Sequence, residues 1–298
     1  MHDHLIVATA CNGQIRALAA VTTGLVEEAR QRHDCWPTAA AVLGRSLTGG
    51  LLMGAILKQG QHLTLRVLGD GPCGAVIVDV DDSSNVKGYL QVPHVNLPPT
   101  SAGKLDVGGA VGKGFLAISK DLGFGDPYVG QVPLQNGEIA TDLAYYLAVS
   151  EQIPSAVGLG VLVNPDGSVK TAGGYMLQML PGADSDVIEK LEKRLSEVPV
   201  PTELIQEVET AEEMLKRFFT AEELTILETR EVHYRCNCSR ERLQQILMSV
   251  SDDELQEMAV KQEPVEMICH FCRTAYLFQP EEITALRKAK QENRDSEE

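Results

Sequence analysis

The sequence predicts an α+β protein in three parts. These are an N-terminal, mainly antiparallel sheet domain with helices over 1–183, a helical linker over 184–230, and a small C-terminal domain built on clustered cysteines over 231–298. Three observations predict this division. All 26 glycines lie at or before Gly182. Charge shifts at the same place, from a net of −4 over 1–183 to −12 over 184–298, within a total of −16. Four of the seven cysteines then fall in two tight pairs after residue 235.

In the first part, short runs of β-branched or alternating apolar residues are separated by turn residues, the pattern of strands joined by hairpins. His62–Leu68 alternates Leu63, Leu65 and Val67 with Thr64 and Arg66 before the turn Gly69-Asp70-Gly71. Ala75–Val80 ends at Asp81-Asp82-Ser83, and further strands are expected at Lys87–Val92, Gly114–Ser119, Tyr128–Pro133, Ala156–Val163 and Gly174–Leu180. Helical periodicity marks Thr23–His33, Pro37–Lys58 and Ile139–Ser150. Hairpin turns outnumber crossovers, so a mainly antiparallel sheet with helices packed on it follows. The most apolar window, Thr38–Leu57, has the length of a membrane span. It contains Arg45 and Gly49-Gly50 and reads as a buried core helix.

In the second part, Val187, Ile188, Leu191 and Leu195 form one apolar helix face opposite Glu189, Glu192, Lys193 and Arg194. Pro199 and Pro201 end that helix. A second pattern runs through Leu204, Ile205, Val208, Met214, Leu215, Phe218 and Phe219, and Thr220-x-x-Glu223 has the form of a capping box opening a third helix. Helices this short are marginal alone, so their apolar faces need a partner surface, expected to be the sheet domain.

Composition narrows the class. A chain of 298 residues with 44% hydrophobic and 23% charged residues is long enough to bury a real core. Its acidity argues against nonspecific nucleic-acid or anionic-membrane binding, both of which rest on basic patches. The N-terminus Met1-His2-Asp3-His4 has no basic stretch followed by a long apolar run, so a signal peptide is not expected. An odd cysteine count does not resemble a secreted disulfide framework, and the chain reads as cytoplasmic, with reduced thiols.

The strongest chemical signal is Cys236-Asn237-Cys238, then 30 residues, then Cys269-His270-Phe271-Cys272. Two pairs of thiols on separate turns suit a four-thiolate zinc site holding one ion per chain, since zinc accepts four soft thiolates tetrahedrally. The segment also needs a staple. Its 68 residues, less the acidic tail Gln291–Glu298, are too few for a self-sufficient core, and structural zinc contributes on the order of 10–16 kcal/mol of apparent binding energy. Ser239 is placed to cap a helix reaching about Val250, and Ser251-x-x-Glu254 forms another capping box. Glu266–Phe278 reads as strand, knuckle and strand, and Pro280 opens a last helix.

A purely structural zinc ribbon is the plainer reading of such a cluster. One half, however, is C-x-C where ribbons ordinarily have C-x2-C, and a disulfide between Cys236 and Cys238 would close a very small ring. Strained disulfides are labile or regulatory, and each sulfur oxidised weakens the hold on the metal, so the chemistry permits a redox switch. Cys11, Cys35 and Cys73 are isolated and read as small buried hydrophobes. His233 and His270 lie near the cluster in sequence as substitute ligands of minor weight. Other motifs fail. Gly108–Gly114 lacks both the first glycine and the Ser/Thr of a phosphate loop and reads as a turn, and Gly44–Gly49 is one residue too long for a nucleophile elbow. No conventional active site is visible.

The arrangement resembles the 33-kDa heat-shock chaperonin family, the bacterial redox-regulated holdases. The likeness rests on Cys236-Asn237-Cys238-Ser239-Arg240-Glu241-Arg242 and on Met267-Ile268-Cys269-His270-Phe271-Cys272 followed by Tyr276 and Phe278. It extends upstream to Val111-Gly112-Lys113-Gly114, Tyr128-Val129-Gly130 and Ser150-Glu151-Gln152-Ile153-Pro154. The resemblance implies a cytoplasmic, ATP-independent chaperone of the oxidative-stress response, not an enzyme, inactive while reduced and zinc-loaded. It implies zinc ligation by Cys236, Cys238, Cys269 and Cys272 and, on oxidation, the disulfides Cys236–Cys238 and Cys269–Cys272. It also implies a homodimer when active, a linker that unfolds, and unfolding client proteins as partners. Two other readings stand beside it: an enzyme with a structural zinc ribbon and an active site in 1–183, and a zinc-dependent adaptor for another macromolecule.

Overall fold

The computed structural model describes residues 2–297; Glu298, the end of the acidic tail, and the side chains from Glu292 onward lie outside the description. The chain opens with the hairpin β1 (His4–Ala10) and β2 (Ile15–Val21), then helices α1 (Thr23–His33) and α2 (Pro37–Gly54). Strands β3 (His62–Gly69), β4 (Val76–Asp81) and β5 (Asn85–Leu90) form a meander, followed by α3 (Val107–Val111), β6 (Gly114–Asp121) and β7 (Tyr128–Pro133). Helix α4 (Ala140–Val149) leads to the hairpin β8 (Ser155–Val163) and β9 (Val169–Met179). Helices α5 (Ser185–Glu197), α6 (Pro201–Glu207) and α7 (Ala211–Lys216) precede β10 (Leu224–Glu231) and β11 (His233–Tyr234). The last elements are α8 (Arg240–Ser249), α9 (Asp252–Lys261), β12 (Val265–Ile268), β13 (Ala275–Phe278) and α10 (Pro280–Glu297).

The fold is α+β with antiparallel sheets, as predicted. There are two large sheets where one was expected, in the orders β10-β1-β2-β9-β8 and β11-β5-β4-β3-β6-β7. Among the described residues, only the two-residue β11 runs parallel to its neighbour. Helix α2 packs against strands of both sheets and is buried from Thr38 to Gly54, so the apolar window is core. Among the described residues no helix is long and apolar enough to cross a membrane. The glycines of α2 allow the close approach. A Cβ at Gly44 would sit 2.9 Å from Val161 of β8, and one at Gly54 would sit 2.6 Å from Val80 of β4.

The first hairpin carries no expectation from the sequence, because both of its faces are buried and the alternation is lost. Leu5 and Leu18 face the α2 core, while Ile6, Ala8, Ala10, Ile15, Ala17 and Ala19 face the opposite way. Its signal is Asn12-Gly13, a hairpin dipeptide, with φ of 56° and 80°. The stretch Gly108–Gly114, expected as a turn, contains the short α3, whose first turn is capped by Asp106 accepting from the Gly109 amide at 2.8 Å.

Helices α5, α6 and α7 lie on the outer face of the first sheet. Leu191, Leu204, Ile205, Met214, Leu215, Phe218 and Phe219 form a second core with Ile6, Ala17, Tyr175 and Leu177. Phe218 meets the Tyr175 ring with centroids 4.6 Å apart. The capping-box reading at Thr220 is corrected. Glu223 does accept the Thr220 amide, at 3.0 Å, but the chain continues as β10 and not as a helix. Leu224, Thr225 and Ile226 are strand-prone, and β10 satisfies the backbone of β1, which would otherwise be a bare edge.

The chain divides into two compact units, Met1–Arg235 and Cys236–Glu298. The second holds α8, α9, α10 and the β12–β13 hairpin around a core of five buried side chains: Leu243, Leu247, Leu255, Phe278 and Ile283. Its caps are the predicted ones. Ser239 accepts from the Arg242 amide at 3.2 Å, and Ser251 and Glu254 make a reciprocal box. Arg240 stacks over Phe278 at 4.4 Å and binds both oxygens of Glu282 at 2.7 and 2.8 Å.

Candidate metal centre

The four predicted cysteines come together. Cys236 and Cys238 lie on the irregular chain before α8, and Cys269 and Cys272 on the knuckle between β12 and β13. Their Sγ atoms all lie within 4.8 Å of one another. Cys236 and Cys269 are 3.7 Å apart, and Cys238 and Cys272 are 3.3 Å apart. A tetrahedral ion with metal–sulfur bonds of about 2.3 Å needs sulfurs roughly 3.8 Å from one another, so the set fits a zinc-sized ion. Cys269 and Cys272 are buried, and Cys236 and Cys238 are half-buried.

The backbone explains how so short a knuckle presents two sulfurs on one side. The Cys269 amide donates to the Thr274 carbonyl at 3.0 Å, and the Arg273 amide donates to the Cys269 carbonyl at 2.9 Å. Arg273 takes φ of 60° to close this turn. The β12–β13 register, from Val265↔Phe278 to Ile268↔Ala275, places the two sulfurs at the head of a short hairpin. On the other half-site, the Ser239 cap starts α8 directly after Cys238 and fixes where that thiol leaves the chain.

Around the sulfurs, the Tyr276 hydroxyl lies 3.2 Å from Cys238 Sγ and also donates to the Cys238 carbonyl at 3.4 Å. The Thr274 hydroxyl lies 3.2 Å from Cys272 Sγ. Thr274 is the supporting residue that the sequence reading missed, and only its position two residues after the last cysteine hints at it. Without a metal the thiols differ sharply. Burial, then the neighbouring Cys269, pushes Cys236 well above the ordinary thiol range, and burial also raises Cys238. Burial opposes ionisation of Cys272 too, but hydrogen bonds to the Thr274 hydroxyl and amide, then to Cys238 and Cys269, outweigh it and bring its pKa down to about 6. The cluster thus favours a thiolate at Cys272, and a divalent cation is what would let Cys236 and Cys238 ionise beside it.

Among the described residues, this is the group of three or more His, Cys, Asp or Glu side chains placed to hold a metal, and neither His233 nor His270 belongs to it. The other cysteines are inert by environment. Burial pushes Cys35 up to about 12 and Cys73 to about 11. Burial, then the Glu223 charge, raises Cys11.

Comparison with known proteins finds relatives over nearly the whole chain. The family model described as "Hsp33 protein" matches residues 3–279. The "33 kDa chaperonin" of Desulforamulus reducens is 49% identical, covering 97% of this chain and 98% of that protein. The protein of the same name from Bacillus mycoides is 46% identical over 96% of this chain and 99% of its own length. The crystal structure of the 33 kDa chaperonin (heat shock protein 33 homolog) of Thermotoga maritima superposes with a TM-score of 0.92 at 39% identity, covering 98% of this chain and 100% of that one.

Proposed function

Since the chain belongs to the Hsp33 protein family, we propose that it is a cytoplasmic, ATP-independent holdase that binds unfolding proteins when oxidised and is inactive when reduced. The observation that carries this reading is the convergence of Cys236, Cys238, Cys269 and Cys272 within 4.8 Å, in a unit with a five-residue core. In the reduced form these four would hold one Zn2+, which supplies the cross-link that so small a core lacks.

On exposure to a peroxide-class oxidant, each cysteine pair gives up two electrons and its protons and forms one S–S bond. The family resemblance implies the pairs Cys236–Cys238 and Cys269–Cys272. Bonds within each half-site leave the two halves free to part. Loss of the thiolate ligands then unfolds 231–298 as the redox-switch domain. The metastable linker 184–230 undocks, leaving 1–183 as the chaperone core and uncovering the apolar surfaces of the second core. The active form is a homodimer in this reading.

The test measures zinc, free thiols and the disulfide map before and after mild peroxide treatment, with suppression of client aggregation assayed in both states. Oxidation should release one zinc per chain, pair neighbours and switch on holding. Retention of the metal after oxidation, or equal activity of the reduced protein, would sink the switch.

A further inference from the structure

Strand β10 has the backbone of a sheet strand and little of its packing. It runs antiparallel to β1 from His4↔Glu231 to Ala10↔Leu224. β1 is covered on both faces, with Leu5 in one core and Ile6, Ala8 and Ala10 in the other. In β10, by contrast, every side chain from Thr225 to Thr229 is exposed. The ladder is also interrupted. Val7 pairs with Glu228 and Ala8 with Ile226, which makes Leu227 the extra residue of a β-bulge, and it is 60% exposed.

What fixes β10 lies mostly at its ends. Upstream, Glu223 is held by Arg194 at 2.9 Å and its carbonyl accepts the Cys11 amide at 2.9 Å. Downstream, the buried Tyr234 donates to the Gly88 carbonyl at 2.9 Å. Between these anchors, the chief side-chain tie is Arg230 donating to the Ala55 carbonyl at 3.1 Å. A ladder made by main-chain groups does not select side chains, so another extended segment can take its place.

We propose that β10 is a displaceable occupant of the β1 edge, and that this edge pairs with an extended segment of an unfolding polypeptide once β10 leaves. The occupant is specified by what sits there now, the stretch Leu-Thr-Ile-Leu-Glu-Thr-Arg-Glu, which is β-prone and carries apolar side chains that need no pocket. The proposal rests on the holdase reading above and adds the mode of recognition: strand addition, indifferent to sequence, at an edge the chain covers with its own strand. Strand-prone segments are what unfolding proteins expose, and a bare edge left uncovered at rest would invite aggregation.

The test uses a fluorescent peptide of residues 224–231 and the full chain, followed by anisotropy. The peptide should bind the oxidised chain at least tenfold more tightly than the reduced chain. Ile226→Pro with Leu227→Pro in the peptide removes adjacent amide donors and should weaken binding at least tenfold. The same double substitution in the full chain should let the reduced protein bind the unaltered peptide. Hydrogen exchange of the oxidised chain should show the β1 amides protected by the peptide. Equal binding of both peptides would mean side-chain adhesion and overturn the proposal. So would an oxidised chain that holds clients but ignores the peptide, or one that excludes it by seating the β10 of a second copy. If the oxidised chain held no client, the holdase reading would fail by itself, and peptide binding to the reduced variant would still decide this proposal. Should that variant not fold, the measurements on the unaltered chain decide it.

Discussion

Arg194 grips Glu223 through two parallel hydrogen bonds, each 2.9 Å long, and gives a further one to the Phe218 carbonyl at 3.0 Å. One guanidinium thereby ties α5 to the turn that launches β10, across the layer formed by α6 and α7. The pair is partly exposed, with side-chain accessibilities of 28% and 29%, so its worth after solvent screening is about 1 kcal/mol. Arg194→Met should lower the stability of the first unit by that amount. Hydrogen exchange should report faster opening of 185–231 and unchanged protection of β3–β6.

The same pair gives a pH dependence. The hydrogen bonds from Arg194 hold the Glu223 carboxyl below the usual carboxylate range. A carboxyl whose folded pKa is depressed contributes stability that is fully present above its unfolded value of about 4.3 and is lost as pH falls through the folded one. The stability difference between the parent protein and Arg194→Met should therefore be constant from pH 7 to about 5 and shrink below about 4. A difference that grew on acidification would refute the assignment.

Phe218 is 2% exposed and sits in the centre of the second core against Tyr175. Phe218→Ala should cost about 3–5 kcal/mol, the usual range for truncating a buried aromatic. If docking of the helical layer is what keeps the reduced protein silent, this variant should suppress client aggregation without oxidation. A destabilised variant that stayed silent in the reduced state would separate helix docking from activity.

Cys269→Ser should abolish stoichiometric zinc binding and collapse hydrogen-exchange protection throughout Cys236–Glu298, because five buried side chains cannot hold that unit. Zinc affinity in the parent protein should weaken as pH falls, since thiolates raised by burial, Cys236 above all, must lose protons to bind. Competition with a chromophoric chelator at several pH values measures both effects.

Tyr276→Phe removes the hydroxyl 3.2 Å from Cys238 Sγ and leaves the ring on its strand. One zinc per chain should still bind, about tenfold more weakly, as is usual when a group supporting a ligand is lost. An unchanged affinity would show that the hydroxyl serves only the Cys238 carbonyl.

How legible all this was in the sequence depended on whether local chemistry or tertiary pairing decided each element. The convergence of the four cysteines was readable, because their spacing, the Ser239 cap, the Ser251–Glu254 box and Pro280 are all local signals. Half-buried strands with clean alternation, such as Leu63–Leu65–Val67, were readable as well. β1 and β2 were not, because burial on both faces erases the period of two and alanine is no strand signal. β10 failed in the opposite way. A real capping interaction at Thr220 and Glu223 points to a helix, and the edge of a strand more than two hundred positions earlier in the chain decides otherwise. Thr274 escaped notice because a supporting hydroxyl has no spacing rule of its own.

On the outer face of the first sheet, the small side chains Ala8 and Ala10 from β1 and Ala17 and Ala19 from β2 lie among the larger Ile6, Ile15, Tyr175 and Leu177. The helices above it add Phe218, Phe219, Met214 and Leu215, so large groups of the layer meet a face that is part alanine. Where such a face is alanine, it holds what lies on it by area more than by shape.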